Sequence, residues 1–103
     1  MNNGIRHMVV FTLKHEPDSA EARQFLGDAR EILSAIPPVR GFEVLRQVSG
    51  KNEYQYGFTM EFAGREEYEA YNQHPAHVDF VDQRWKTEVT DFLEIDFEPT
   101  AEM

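Results

Sequence analysis

Nine residues, Tyr54-Gln55-Tyr56-Gly57-Phe58-Thr59-Met60-Glu61-Phe62, alternate without a break between large apolar side chains and small or polar ones. Period-two alternation of this length fits a strand with one face buried, and it cannot line one side of a helix. A sheet is therefore required, and the rest of the chain must supply its other strands and its cover. Ile5 to Leu13 reads as a strand, with Ile5, His7, Val9, Phe11 and Leu13 alternating with Arg6, Met8, Val10 and Thr12. Gly41 to Val48 gives another, with a turn at Gly50-Lys51-Asn52 behind it. Phe92 to Phe97 gives a fourth, with Leu93, Ile95 and Phe97 on one side.

The cover comes from two helical segments. Asp18, with Glu21 three residues on, resembles a capping box that opens a helix. Ala22, Phe25, Leu26, Ala29, Ile32, Leu33 and Ile36 form its single apolar stripe, and Pro37-Pro38 ends it because neither ring nitrogen can donate to the ladder. Arg65 to Gln73 is a short helical turn with Tyr68 and Tyr71 three apart. Pro75 suits the first position of a further helix, with Val78, Val81, Trp85 and Val89 as its predicted buried stripe. The order β-α-β-β-α-β predicts a ferredoxin-like α+β fold, an antiparallel sheet with its helices on one face.

With 103 residues the chain makes a single domain, residues 1–103, whose own core is limited. It has no cysteine, so neither a disulfide nor a thiolate metal site can reinforce it. The sheet face away from the helices still carries Met8, Val10, Leu45 and Phe92, too apolar for a face left in water. A second copy of the chain is the expected cover, which makes the protein a homodimer. Ten basic against nineteen acidic residues leave a formal charge of −9. Such a surface repels phosphate backbones and anionic lipid, so neither nucleic acid nor membrane is an expected partner. No apolar run approaches the roughly 20 residues of a membrane span, and no basic leader opens the chain. A soluble cytoplasmic protein is the expectation.

Chemistry concentrates in Tyr71-Asn72-Gln73-His74-Pro75-Ala76-His77-Val78-Asp79-Phe80. His74 falls at the helix start beside Pro75, whereas His77 borders the apolar stripe near Phe80 and Val81. His7 shares the strongly apolar face of the first strand. If that face meets the helices, His7, Tyr71 and His77 converge in one apolar cavity walled by Val9, Tyr56, Phe58 and Phe80. An imidazole can take a proton near neutral pH, and a tyrosine hydroxyl can donate to a carbonyl or to the enolate developing from it. His77 as base, Tyr71 as donor and a small apolar carbonyl ligand follow from that set. Equally, His77 reads as a structural ring and Tyr71 as a packed tyrosine with a satisfied hydroxyl. His74 and His77 at i, i+3 lack a placed carboxylate, so no metal is expected. The acidic run Glu66, Glu67, Glu69 is a solvated helix face, and there is no phosphate loop or nucleophile elbow, so no cofactor is expected either.

The segments IRHMVVFTLK, IPPVRGFE, YGFTMEF, YNQHPAHVDF and FLEIDFEP together resemble the stress-responsive α/β-barrel domain family over residues 5–99, HPAHV being the most specific. The family is similar to the dimeric α+β barrels, in which two ferredoxin-like subunits pack sheet to sheet, so the resemblance implies the same dimer. Most members have no assigned reaction. A plant polyketide (olivetolic acid) cyclase branch performs an intramolecular aldol condensation without a cofactor. Carried over, its catalytic histidine falls on His77, its assisting tyrosine on Tyr71 and its first-strand pocket histidine on His7. Two of that branch's pocket positions differ, a third-strand histidine being Tyr56 here and a first-helix tyrosine Ala29. The resemblance thus implies a domain of unassigned reaction with a small-molecule cavity between sheet and helices, or else a cofactor-independent lyase or cyclase.

Overall fold

The computed structural model of the protein describes residues 4–100. Its elements run β1 (Ile5–Leu13), α1 (Ala20–Ser34), β2 (Arg40–Arg46), β3 (Tyr56–Phe62), α2 (Arg65–Gln73), α3 (Pro75–Phe80), a π-helical turn (Val81–Trp85), α4 (Lys86–Glu88) and β4 (Val89–Phe97). The four strands form one antiparallel sheet in the order β2-β3-β1-β4. This is the ferredoxin-like α+β arrangement that the alternation and the element order predict.

Register decides which side chains meet the helices. Val9 lies opposite Phe58, Phe11 opposite Tyr56 and His7 opposite Met60 across β1 and β3. Paired residues of antiparallel strands point to the same face, so this whole set is turned toward α1. Ala22, Phe25, Ala29 and Leu33 of α1 meet it, and Phe11, Phe25 and Ala29 lose all contact with solvent. Truncating a ring such as Phe11 would cost about 3–5 kcal/mol.

Several boundaries differ from the sequence reading, each for a local reason. The cap of α1 is Ser19, whose hydroxyl accepts from Ala22 N at 3.1 Å. Asp18 instead turns the chain with φ of 63° and binds Arg46 at 2.6 Å. Strand β2 begins at Arg40 and ends at Arg46, with a bulge between Arg40 and Glu43 where Gly41 takes φ of 60°. Strand β3 starts at Tyr56, leaving Tyr54 in the preceding loop. In α3 Val78 is exposed and Phe80 is the buried anchor.

The fourth strand corrects the expected outer face. Phe92 lies opposite Phe11 and Glu94 opposite Val9, so both are on the helix side with Asp96. Leu93, Ile95 and Phe97 lie opposite Val10, Met8 and Arg6, on the face that no helix covers. That face therefore carries Met8, Val10, Leu45, Leu93, Ile95 and Phe97, and Phe92 is not part of it. Leu45, Leu93 and Phe97 remain 44–50% exposed. Apolarity alone had pointed Leu93, Ile95 and Phe97 inward. The polar parity, Glu94 and Asp96, goes inward because it meets buried partners there.

Candidate functional site

A cleft of about 570 Å³ opens between the sheet and the α2–α4 segment, beside the edge strand β4. The floor is β1 and β3, contributing His7, Val9, Phe58 and Met60. Tyr71, Asn72, His77 and Phe80 form the helical wall, and Leu33 of α1 closes one side. Val81, Trp85 and Lys86 continue that wall, while Val89, Phe92 and Glu94 line the β4 side. A volume of this order suits a small organic molecule, and the lining is the usual mixture of apolar walls and a few polar groups.

Each polar group is held by something specific. His77 sits in the first turn after Pro75, where its Nδ1 lies 3.1 Å from the backbone carbonyl of Asn72. A carbonyl only accepts, so Nδ1 carries the hydrogen and the neutral ring keeps its lone pair on Nε2. The ring packs on Tyr71 with centroids 4.4 Å apart. Burial holds the imidazole below its ordinary value of 6.5, and nearby His7 pushes the same way, against the Asn72 carbonyl and Glu94. His77 is therefore neutral at pH 7. Tyr71 is buried, and that burial, with Tyr68 and Glu94 adding to it, raises its hydroxyl well above the usual phenol. It stays protonated, a donor.

His7 is the single buried polar side chain among the described core residues. Its Nδ1 lies 2.6 Å from Asp96 Oδ1, and the Tyr68 hydroxyl donates to both Asp96 oxygens at 2.9 and 3.1 Å. The other ring nitrogen, Nε2, lies 4.0 Å from Glu94 Oε1, so His7 stands between two carboxylates. Burial, and then the Asp96 carboxylate, raises Tyr68 as well. An unpaired imidazole in this core would be costly, and Asp96 with Tyr68 removes that cost.

Of the residues singled out in the sequence, His7, Val9, Phe58, Tyr71, His77 and Phe80 share this cleft, whereas Tyr56 does not line it. Tyr56 lies farther along β3, where its hydroxyl accepts from Asp18 N at 2.9 Å. His74 caps α3, accepting from Ala76 N at 3.1 Å. Among the described residues no three histidine, aspartate or glutamate side chains gather in a way that could hold a metal ion. Tyr68, Asp96, Glu94, Asn72, Trp85 and Phe92 were not expected at the site from the sequence, which placed Trp85 only in a helix stripe and Phe92 on the outer sheet face. The signal that would have found the β4 residues is polar parity, because Glu94 and Asp96 alternate in phase with Phe92.

The Trp85 side of the cleft depends on an irregular turn. Lys86 N donates to Val81 O, five residues back, which makes Val81–Trp85 one widened turn. Phe80 and Trp85, five apart, would diverge around a regular helix with 3.6 residues per turn, but here both reach Phe25, at 5.5 and 6.2 Å. Arg84 fastens the turn, with Nη1 2.6 Å from Asp28 on α1 and Nε 2.6 Å from Glu88. Glu88 also meets His15 at 2.7 Å, and its carboxyl stays below its usual range because Arg84 and His15 outweigh the effect of burial.

Comparison with known proteins agrees with this architecture. The stress responsive A/B barrel domain, as a family profile, matches residues 5–99. A solved protein of that family with a ferredoxin-like fold, from Mesorhizobium loti, is 56% identical, with a TM-score of 0.94 over 95% of this chain and 98% of its own. A dimeric ferredoxin-like protein of unknown function from Thermobifida fusca superposes with a TM-score of 0.77 at 18% identity, covering 93% of this chain and 91% of that one. A hydroxynitrile lyase from Passiflora edulis gives 0.84 at 9% identity, covering 98% and 97%. No curated protein matches the chain. Among the described residues no helix is long and apolar enough to cross a membrane.

Proposed function

This chain belongs to the stress responsive A/B barrel domain family, and we propose that it acts as a homodimer whose subunits each bind a small, largely apolar carbonyl compound between sheet and helices. The observation that carries the reading is His77, a ring in the cleft wall with Nδ1 committed to the Asn72 carbonyl and its basic Nε2 left free. In this proposal Nε2 removes a proton α to the bound carbonyl, and the Tyr71 hydroxyl donates to the enolate oxygen that develops. The enolate then attacks a second carbonyl of the same molecule or expels a leaving group, and the proton on His77 returns to the product. No redox partner or cofactor is needed for that balance. The Passiflora edulis lyase shares only the fold, which supports the reading by showing that such a scaffold carries lyase chemistry in another protein.

The dimer rests on a separate observation, the uncovered face bearing Val10, Leu93, Ile95 and Phe97. It agrees with the dimeric state named for the Thermobifida fusca relative.

Exchange of α-hydrogens for solvent deuterium, followed by NMR on simple aryl alkyl ketones, tests the catalytic half. Wild-type protein should accelerate exchange, and His77→Gln should lower the acceleration by at least about 100-fold without changing the fold. Undiminished exchange in the variant would remove His77 as the base. Ketone binding without any exchange would leave the cleft as a binding site alone, the reading favoured by the apolar lining.

A further inference from the structure

Gly57 stands inside β3, where a glycine offers no side chain to pack and loses more chain entropy on folding than any other residue. Nothing within the chain asks for it. Its φ is outside the left-handed region. A Cβ added there would meet Val9 O at 3.4 Å and a Val10 methyl at 3.6 Å, which are ordinary contacts. A strand glycine of this kind often marks a place where another backbone or a ligand comes close. Gly57 lies between Val10 and Leu45, so its missing side chain leaves a pit in the face that no helix covers. Near the end of β4, on the same face, Phe97 stands half-exposed opposite Arg6. The apolar residues of this face form the two arms of an L. One arm crosses the sheet as Leu45, Gly57, Val10 and Leu93, and the other follows β4 as Leu93, Ile95 and Phe97. Three strand spacings and four residues of rise both come to about 14 Å, so the arms match in length. Met8 fills the angle of the L, and Arg6, Glu61, Thr59 and Glu43 hold the polar quadrant beyond it.

Resting on the dimer reading above, we infer that two copies pack their open faces with strands crossing near a right angle, Phe97 of each filling the pit at the partner's Gly57. A two-fold axis along the bisector of the L lays each arm on the other arm of the second copy. Leu93 then meets its own counterpart, Ile95 meets the partner's Val10, and Phe97 reaches the partner's Gly57. Arg6 comes over the partner's Thr59, beside the partner's Glu43, so its charge finds a carboxylate. The simpler overlays fit worse. An axis along the strands lays β4 on the partner's β2, setting Ile95 on Glu43 and Phe97 on Arg40. An axis across the strands sets Val10 on Arg6 when it is centred on Met8. Centred between Met8 and Val10, it sets Leu45 on Glu43 and Phe97 on Asp91. Each of these presses a charged group against apolar surface, which costs free energy unless the charge is paired. Phe97 and Gly57 are therefore the anchor and the socket of the interface, an aromatic ring in a fitted pocket.

The chain has no cysteine of its own, so placed thiols report the packing directly. Within one copy, positions 57 and 97 are two strands apart and four residues along, farther than the roughly 7 Å between Cα atoms that a disulfide can span. The double variant Gly57→Cys with Phe97→Cys should therefore become a covalent dimer in a glutathione redox buffer, read on a non-reducing gel. Each single variant should stay unlinked. Gly57→Val fills the pit with a side chain suited to a strand. It should weaken the dimer at least about 10-fold in sedimentation, with far-UV circular dichroism unchanged. Where the valine disturbs the strand, the thiol pair decides alone. A double variant left unlinked, with the wild type dimeric, would overturn the inference and leave the dimer standing. So would a single variant that links to its own copy, or a folded Gly57→Val protein that dimerises as the wild type does. A monomeric wild type would overturn the dimer reading and this inference with it.

Discussion

His77 and His7 are both imidazoles in one cleft, yet their surroundings differ. His7 has a carboxylate at 2.6 Å, whereas His77 has only a backbone carbonyl at 3.1 Å and a tyrosine ring beside it. Burial is the leading influence on His77 and lowers its pKa below 6.5. Between that lowered value and 6.5 the unfolded chain binds more protons at this position than the folded one. The contribution of His77 to stability is therefore complete above 6.5 and is lost as pH falls through the window toward the folded value. NMR titration of the His77 ring should give a midpoint below 6.5. α-Hydrogen exchange should persist below pH 6.5 and fall only at the lower, folded value. A midpoint at 6.5 would mean that the ring is solvated, and one above it that the Asn72 carbonyl and Glu94 outweigh burial. Position by position, β1 parity made His7 and Val9 legible as cleft neighbours, and the Pro75 helix start did the same for His77 and Phe80. Tyr56 misled because alternation fixes the face of a strand but not the distance along it. Two residues beyond Phe58, the side chain has already left the cleft and meets Asp18.

At the scale of elements, the widened turn Val81–Trp85 was not legible at all. A spacing of Val78, Val81, Trp85 and Val89 suits a regular helix, and nothing local in the sequence announces a bond reaching five residues back. What selects the turn is tertiary: Trp85 packs on Phe11 and Phe92 at 5.0 and 5.6 Å, and Arg84 is held at both ends by carboxylates. Replacing Arg84 by Leu leaves Asp28 and Glu88 without their guanidinium and should destabilise the protein by about 1–3 kcal/mol. Because Trp85 is the one tryptophan of the chain, the same variant reports on the cleft. Its fluorescence should shift to the red as the turn relaxes, and ketone affinity should fall with it. A variant that loses stability with unchanged emission and unchanged affinity would separate the turn from the site. Strand β4 was legible as a strand but inverted in facing. Both its parities carry a coherent set, and only the partners on β1 and α2 decide between them.

For the whole molecule, the element order was enough to give the sheet and its helical cover, since a chain of alternating strands and amphipathic helices has few compact solutions. The uncovered face was also expected, although its composition was not: Leu93, Ile95 and Phe97 replace Phe92 in it. Val10 is central there, opposite both Gly57 and Leu93. Val10→Asp should weaken the proposed dimer by roughly 100-fold, the equivalent of about 2.7 kcal/mol, by setting an unpaired carboxylate against apolar surface. Sedimentation across a dilution series measures it. A wild-type protein that sediments as a monomer at micromolar concentration would remove the dimer.

Strand β4 faces two ways along its length, Phe92, Glu94 and Asp96 toward the cleft and Leu93, Ile95 and Phe97 toward the open face. It is also an edge strand, held to the sheet by β1 alone. Whatever stiffens it from one side spares the other side that ordering cost. Occupancy of the cleft and pairing of subunits should then be reciprocal, each raising the equilibrium constant of the other by one shared factor. Ligand affinity would in that case depend on how dilute the protein is, strongest where dimers dominate and weaker in the Val10→Asp monomer. A single dissociation constant, unchanged from nanomolar to micromolar protein across the dimer transition, would show that the two faces of β4 do not communicate.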